Sequence, residues 1–278
     1  MAGRPQSDSV GPVRLATVNL LGGRSVAHGR VEEDELRAAA TALDADVVVL
    51  QEVDQGQPRS HHVDQTAVVA AALGAGSWRF LPTLHGTPGE GWTAADGDGS
   101  GGQPPGPAYG IGLVSRHPVT SWAVRRFMPA PVGLPLLVPG QGLMHVDDEP
   151  RAALAARVET AVGPLTVIGT HLSFVPGWNV AQLRELVRWA RTLPAPRVLM
   201  GDLNLPGRVV GVSTRWARAA RVATYPSWNP RVQFDHVLLE PGTGLSVTAT
   251  HRLRMPVSDH CALAVDVDTL ARRSGGTD

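Results

Sequence analysis

Arg197-Val198-Leu199-Met200-Gly201-Asp202-Leu203-Asn204 runs a short apolar strand straight into a glycine, a carboxylate and an amide. The run is too short for a helix, and its β-branched and apolar residues ending at glycine read as a buried strand with a turn at its tip. The same arrangement recurs outward in both directions. Val13–Val18 ends in Asn19, and Val47-Val48-Val49-Leu50 ends in Gln51-Glu52. Leu165–Ile168 leads through Gly169-Thr170 to His171; Asp235-His236 follows Phe234, and Ser258-Asp259-His260 precedes the last apolar run. If these runs are neighbours in packed sheets, their polar ends share one rim, and the rim is the candidate site.

Between the tips the chain alternates strand-length apolar runs with amphipathic segments. Strands are expected at Val13–Val18, Asp46–Leu50, Trp78–Leu81, Gly110–Val114, Leu154–Val158, Leu165–Gly169, Arg197–Met200, Phe234–Leu239, Leu245–Thr250 and Cys261–Val267. Glu32, Glu33, Asp34 and Glu35 ahead of Leu36, Ala40 and Leu43 place acid at a helix N-terminus, where the dipole favours it. Val63–Leu73 has the same period more weakly, and Asn179 is positioned to cap a helix carrying Leu183, Leu186, Val187 and Ala190 on one face. Ten strands against three or four helices exceed what a doubly wound sheet needs. Two stacked sheets with helices outside fit better. Residues 86–107 hold Gly or Pro at 12 of 22 positions and read as a long surface loop, partly disordered. Phe127–Met144 is apolar but broken by Pro and Gly, so it makes neither a good helix nor a central strand.

At 278 residues the chain suits one domain over 13–268, with a disordered N-terminal segment at 1–12 and a frayed tail at 269–278. There are 25 basic and 25 acidic residues, so no overall field advertises a polyanion partner. All the basic residues are arginine, which excludes a lysine nucleophile or a P-loop lysine and reads as a bacterial-like, GC-rich coding bias. The single Cys261 excludes a disulfide framework and a multi-thiolate zinc site. No apolar run approaches about 18 residues, and the N-terminus lacks a signal-peptide core. A cytoplasmic protein with no obligate protein partner is the expectation.

The carboxylates gathered beside imidazoles on this rim repel one another unless a cation is present, and a hard divalent ion such as Mg²⁺ or Mn²⁺ with oxygen ligands relieves that repulsion. The ordered set Thr17-Val18-Asn19, Leu50-Gln51-Glu52, Gly169-Thr170-His171-Leu172, Gly201-Asp202-Leu203-Asn204, Phe234-Asp235-His236-Val237 and Ser258-Asp259-His260 resembles the motifs of the endonuclease/exonuclease/phosphatase superfamily. That superfamily includes deoxyribonuclease I, exonuclease III, sphingomyelinases and inositol-polyphosphate phosphatases. The resemblance covers nearly the whole chain. It implies an α/β fold, a four-layer α/β sandwich of two packed mixed sheets flanked by helices, and metal-dependent hydrolysis of phosphate esters. It implies Glu52 as principal metal ligand with Asn19 beside it and Asp259 in the metal shell. Asp202 is implied to orient or deprotonate the attacking water, Asn204 to contact the phosphate, and His171 and His260 to bind it, with Asp235 holding His260. Arg116 and Arg151 are weaker candidates for a phosphate clamp, and Tyr109 for a substrate contact. Two departures from nuclease members stand out. Leu21 occupies a position where they often carry an acid, and Tyr109 directly precedes Gly110, a one-residue offset that turns a strand side chain to the other face.

For the substrate, three readings compete. A hydrolase of a lipid head group or another small phosphodiester is favoured, with the apolar 127–144 segment offering peripheral membrane contact. A nuclease is supported by eight arginines (184, 188, 191, 197, 208, 215, 218 and 221) with Trp216 and Trp228 available to stack on bases. A catalytically silent binding protein on the same fold is opposed by the intact polar set.

Overall fold

The alternation read from the apolar runs is realised in a computed structural model that describes residues 11–100, 106–138 and 142–269. The expected N-terminal segment and tail fall almost entirely outside these residues, as do 101–105 and 139–141 of the two irregular stretches. In chain order the elements are β1 (Val13–Asn19), α1 (Glu33–Leu43), β2 (Val47–Gln55), α2 (Gln65–Leu73), β3 (Ser77–Thr87), β4 (Gly91–Ala94) and β5 (Ala108–Ser115). There follow β6 (Val119–Phe127), β7 (Leu134–Val138), β8 (Gly142–Val146), β9 (Arg151–Thr160), β10 (Gly163–His171) and α3 (Trp178–Ala190). The chain continues through β11 (Arg197–Asp202), α4 (Gly207–Thr214), β12 (Ala217–Arg218), β13 (Asp235–Leu239), β14 (Leu245–Arg254) and β15 (Cys261–Thr269).

One sheet has the order β14-β15-β1-β2-β5-β3-β4 and the other β12-β13-β11-β10-β9-β6. Both are mixed: β1 runs parallel to β2 and β10 parallel to β11, while their other neighbours are antiparallel. Three apolar layers hold four layers of structure together. Val13, Leu15, Val47, Val49, Leu154, Val167, Val198 and Met200 fill the space between the sheets. Leu36, Leu43, Val69 and Leu73 press α1 and α2 on the first sheet, and Leu183, Leu186 and Val210 press α3 and α4 on the second. This is the four-layer sandwich expected from the strand count.

All ten expected strands form, most of them longer than their apolar cores because flanking polar residues still pair in the ladders. The structure differs at four places. β6 was not foreseen, because it is an edge strand whose outward positions carry Ser121 and Arg125 instead of apolar residues. Part of the glycine-rich stretch is ordered as the β3–β4 hairpin, and Arg126 on β6 donates to the carbonyls of Pro82, Asp96 and Gly97, satisfying backbone that would otherwise need water. Phe127–Met144 contains the end of β6 and most of a separate two-stranded hairpin, β7–β8. Asn179 does not cap α3, since Gly177 occupies that position; Asn179 is buried in the first turn, where its amide donates to Asn204 O. No helix among the described residues is long and apolar enough to cross a membrane.

Candidate active site

Strand parity builds the site. On β1 the residues facing the other sheet are Val13 and Leu15, so two and four residues on, Thr17 and Asn19 take the same side. Val198 and Met200 on β11 lead in the same way to Asp202, Leu165 and Val167 on β10 to His171, and Leu239 and Val237 on β13 to Asp235. The polar residues are therefore the continuation of the inter-sheet core at one open end. Glu52 needs a device to join them. Val47 and Val49 face the other sheet, so Glu52 should turn toward the helices with Val48 and Leu50. A bulge between Leu50 and Val53 sets Gln51 and Glu52 against one residue of β5, and Glu52 takes a φ of +52°. Gln51 bonds Thr17 within the core, and Glu52 accepts from Asn19 Nδ2 at 2.8 Å.

Asn19 also reaches Asp202 Oδ2 at 3.2 Å, while its own Oδ1 accepts from Leu21 N at 3.0 Å. Asn19 thus bridges the two carboxylates. Asp202 Oδ1 accepts from Asn204 N at 2.9 Å, a turn that holds Asn204 at a φ of +49°. The Asn204 amide donates to Leu172 O at 3.0 Å and lies 3.3 Å from His171 Nε2. Two imidazoles flank Asp202 Oδ2, with His171 Nε2 at 3.7 Å and His260 Nε2 at 3.8 Å. His260 Nδ1 lies 2.9 Å from Asp235 Oδ2, its backbone N–H donates to Ser258 Oγ, and the Tyr225 ring packs 4.8 Å from its own.

Burial sets the charges. It opposes a charged His260, but the attraction of Asp235 and its hydrogen bond, with Asp202 and Asp259, more than offset this and raise the imidazolium to about 10. His171 moves the other way, held well below the usual histidine range by burial, by Arg151 and by His260. Burial raises the Asp202 carboxyl, partly countered by His260. Asp259 is pushed up to about 6 by burial, His260 pulls it back, and Glu52 adds repulsion.

Glu52 and Asp259 are two oxygen donors that repel one another, and neither forms an ion pair with an arginine among the described residues. That donor chemistry fits a hard divalent cation. Asp202, Asp235 and His260 also bring ligand atoms within 4.8 Å of one another and could hold a metal ion by spacing. An imidazolium, however, has no lone pair free for a metal, so the Glu52–Asp259 side suits a hard ion better.

Of the remaining candidates, Tyr109 shares the inter-sheet face with Ile111 and Leu113, is buried near Glu52 and Glu149, and carries the Arg59 guanidinium 5.6 Å above its ring. Both strands beside β5 bulge at its level, so the one-residue offset noted in the sequence does not turn it away. Arg151 is at the site but lies behind His171, with Nη1 3.1 Å from His171 Nδ1. Arg116 is not at the site. It follows the opposite end of β5, roughly 20 Å along the strand from Tyr109, where it pairs with Asp44 at 2.9 Å and donates to Leu73 O. Trp216 is only 4% exposed, buried under α4, and offers no surface to a base. Glu149 was missed in sequence because it stands in a run of acids, Asp147-Asp148-Glu149, that reads as a solvated turn. Burial raises its carboxyl, and Arg151 lowers it in part. Tyr225 was missed because nothing local marks it.

No protein of curated function matches the chain. Among solved structures, an endonuclease/exonuclease/phosphatase from Beutenbergia cavernae is 25% identical, with a TM-score of 0.65, covering 93% of this chain and 72% of that one. The catalytic domain of human nocturnin with bound sulfate is 18% identical, with a TM-score of 0.59, covering 94% and 96%. Sphingomyelinase C from Streptomyces griseocarneus is 16% identical, with a TM-score of 0.57, covering 92% and 99%. At their level of identity the last two speak to the fold alone. The family model described as Endonuclease/Exonuclease/phosphatase family matches residues 16–260, a span running from β1 to His260 that contains every polar strand end described above. With its four layers and its rim of carboxylates and imidazoles, the chain belongs to the endonuclease/exonuclease/phosphatase family and is an enzyme that hydrolyses phosphate esters.

Proposed function

We propose that the chain is a Mg²⁺-dependent phosphodiesterase, with Mn²⁺ an acceptable substitute, acting on a lipid head group by in-line attack of water. Glu52 and Asp259 hold the cation, with Asn19 orienting Glu52. When bound, the cation neutralises the phosphoryl oxygens and the charge developing on the leaving oxygen. Asp202 accepts the proton of the attacking water, and burial, by raising its carboxyl, makes it a stronger base than an ordinary aspartate. His171 and His260, on either side of Asp202, donate to the phosphoryl oxygens, while Asp235 keeps His260 charged. Asn204, fixed by Leu172 O, completes the donor set.

The observation that carries the lipid reading is the arm between Phe127 and Arg151. Met128 is 77% and Leu143 74% exposed, with Val132 and Met144 exposed beside them, and the arm leads directly into Glu149 and Arg151. Four exposed apolar side chains on one arm beside a phosphoester site are costly unless an apolar phase takes them up. The nucleic-acid reading has lost specific supports: Trp216 is buried and Arg197 pairs with Glu240 at 2.7 Å. Arg184, Arg188, Arg191 and Arg215 line a cleft between α3 and α4, and Arg188 lies about 14 Å along α3 from Asn179, the point where that helix touches the site.

The double variant Met128→Ser, Leu143→Ser tests this reading. Hydrolysis of phospholipid and sphingomyelin vesicles should fall about tenfold or more, because two exposed apolar side chains that would enter the lipid are lost. Hydrolysis of bis(p-nitrophenyl) phosphate in solution should not change. Equal effects on both substrates, or faster turnover of DNA or RNA than of any vesicle, would overturn it.

A further inference from the structure

His171 and His260 stand at nearly equal distances from Asp202, yet their far nitrogens meet opposite partners. His260 Nδ1 faces the Asp235 carboxylate, which only accepts, so that nitrogen carries a proton. His171 Nδ1 faces Arg151 Nη1 at 3.1 Å. A guanidinium has five N–H donors, no acceptor, and does not deprotonate in proteins. The His171 Nδ1 therefore presents its lone pair, and a neutral ring then carries its proton on Nε2, 3.7 Å from the Asp202 Oδ2 acceptor. Asn204 Nδ2, 3.3 Å away, is itself a donor; it directs a hydrogen to Leu172 O at 3.0 Å and takes no proton from the ring.

We propose that Arg151 is a positioning residue that fixes His171 as a neutral Nε2–H donor to the substrate phosphoryl group, so that the site works with one charged and one neutral imidazole. Arg151 is held for this task. It opens β9 next to Ala152, the residue paired with His171 in the ladder, and it is only 5% exposed. Asp148 Oδ1 lies 3.5 Å from Nη2 and Glu149 Oε2 3.9 Å from Nη1, the nitrogen that also faces His171, and Asp148 is itself fixed by Ala130 N at 2.7 Å. Burial opposes the charge on Arg151, and these two carboxylates restore it. Buried and clamped in this way, Arg151 cannot swing out to grip a phosphate, and it reaches the substrate only through His171. The groups facing His171 are Arg151, Asp202, His260 and the neutral Asn204. The lowered affinity of His171 for a second proton agrees with this geometry.

Only the kinetic part of the test rests on the phosphodiesterase reading; the spectroscopic part stands without it. Long-range ¹H–¹⁵N spectra of the ¹⁵N-histidine-labelled full chain, with His171 assigned from His171→Gln, report which ring nitrogen is protonated. In the wild type, His171 should show protonated Nε2 and unprotonated Nδ1 throughout pH 5.5–8.5. Arg151→Met should free the ring to change tautomer or take a second proton as pH falls, and should lower kcat about tenfold or more with little change in KM. Arg151→Lys, still a donor without an acceptor, should restore the Nε2–H signature and part of kcat. A protonated His171 Nδ1 in the wild type would overturn the proposal, as would unaltered His171 signals in Arg151→Met. If kcat stays level and KM rises, Arg151 is a direct phosphate clamp. Should Arg151→Met not fold, the wild-type and Arg151→Lys spectra still decide.

Discussion

Glu52, Asn204 and Ser258 hold φ values of +52°, +49° and +79°, in the left-handed region that side chains other than glycine rarely adopt. All three belong to the polar rim, and such conformations persist only where surrounding bonds enforce them. For Asn204 the enforcing bond is from its own N–H to Asp202, and for Ser258 it is the N–H bond to Arg24 O together with the His260 N–H on its hydroxyl. The rim thus stores strain as well as like charge. Glu52→Gln should accordingly raise the unfolding temperature of the metal-free chain by a few degrees through relief of repulsion with Asp259, while abolishing the rise that Mg²⁺ gives the wild type. A calorimetric scan with Mg²⁺ or EDTA checks both parts, and an undiminished Mg²⁺ response in the variant would remove Glu52 from the cation site. Asp235→Asn tests the charge on His260. In the wild type His260 stays protonated until about pH 10, because its folded pKa is raised. Without the carboxylate it should deprotonate near the ordinary value of about 6.5. The kcat/KM of the variant should then fall progressively as pH rises from about 6 to 8, where the wild type shows no loss from this group. Parallel pH profiles would separate Asp235 from that role.

The same logic governs whole elements. Gly201 lets β10 and β11 close at the site: a Cβ there would lie 2.0 Å from Thr170 O, at a φ of +148°. Gly201→Ala must separate two paired central strands that carry His171 and Asp202. It should cost roughly 3 kcal/mol or more, read from the urea midpoint, and reduce turnover with it. A variant of wild-type stability would mean the strands are not held this close. Element behaviour also explains what was legible in the sequence. Asn19, His171, Asp202 and Asp235 lie an even number of residues beyond apolar positions that face the other sheet, so period-two alternation carries them to the seam without further information. Glu52 breaks that parity, and only the bulge restores it; a bulge without glycine leaves little trace in a single sequence. β6 was hidden by its half-exposed edge position. Arg116 misled because a strand has two ends, and composition alone does not say which end meets the cleft. Glu149 was concealed among acids that are usually solvated, and its burial depends on Arg151 arriving from the adjoining strand.

At the scale of the whole molecule, stability rests on three apolar layers whose inner surfaces also enclose ionisable groups, so the fold carries a pH dependence separate from catalysis. His236 neighbours Asp235 on β13 but plays no part in the rim. It is fully buried, its Nε2 lies 2.9 Å from Leu205 O, and its Nδ1 has no partner. Burial lowers its pKa from 6.5 to about 4, against the opposing hydrogen bond to Leu205. The unfolded chain therefore takes up a proton below about 6.5 that the folded chain refuses until about 4. Stability from this group is intact above 6.5 and is lost as pH falls through that window, about 1.4 kcal/mol per unit and about 3 kcal/mol in all. His171, shifted in the same direction, adds to the slope. His236→Gln keeps a donor for Leu205 O but cannot titrate. Urea unfolding of both chains with EDTA at a series of pH values should show the wild type losing stability more steeply than the variant between pH 6.5 and 4.5, with the two curves parallel above pH 7. Equal slopes would mean that His236 is protonated in the folded chain, and its bond to Leu205 O would then be that of an imidazolium held within the core.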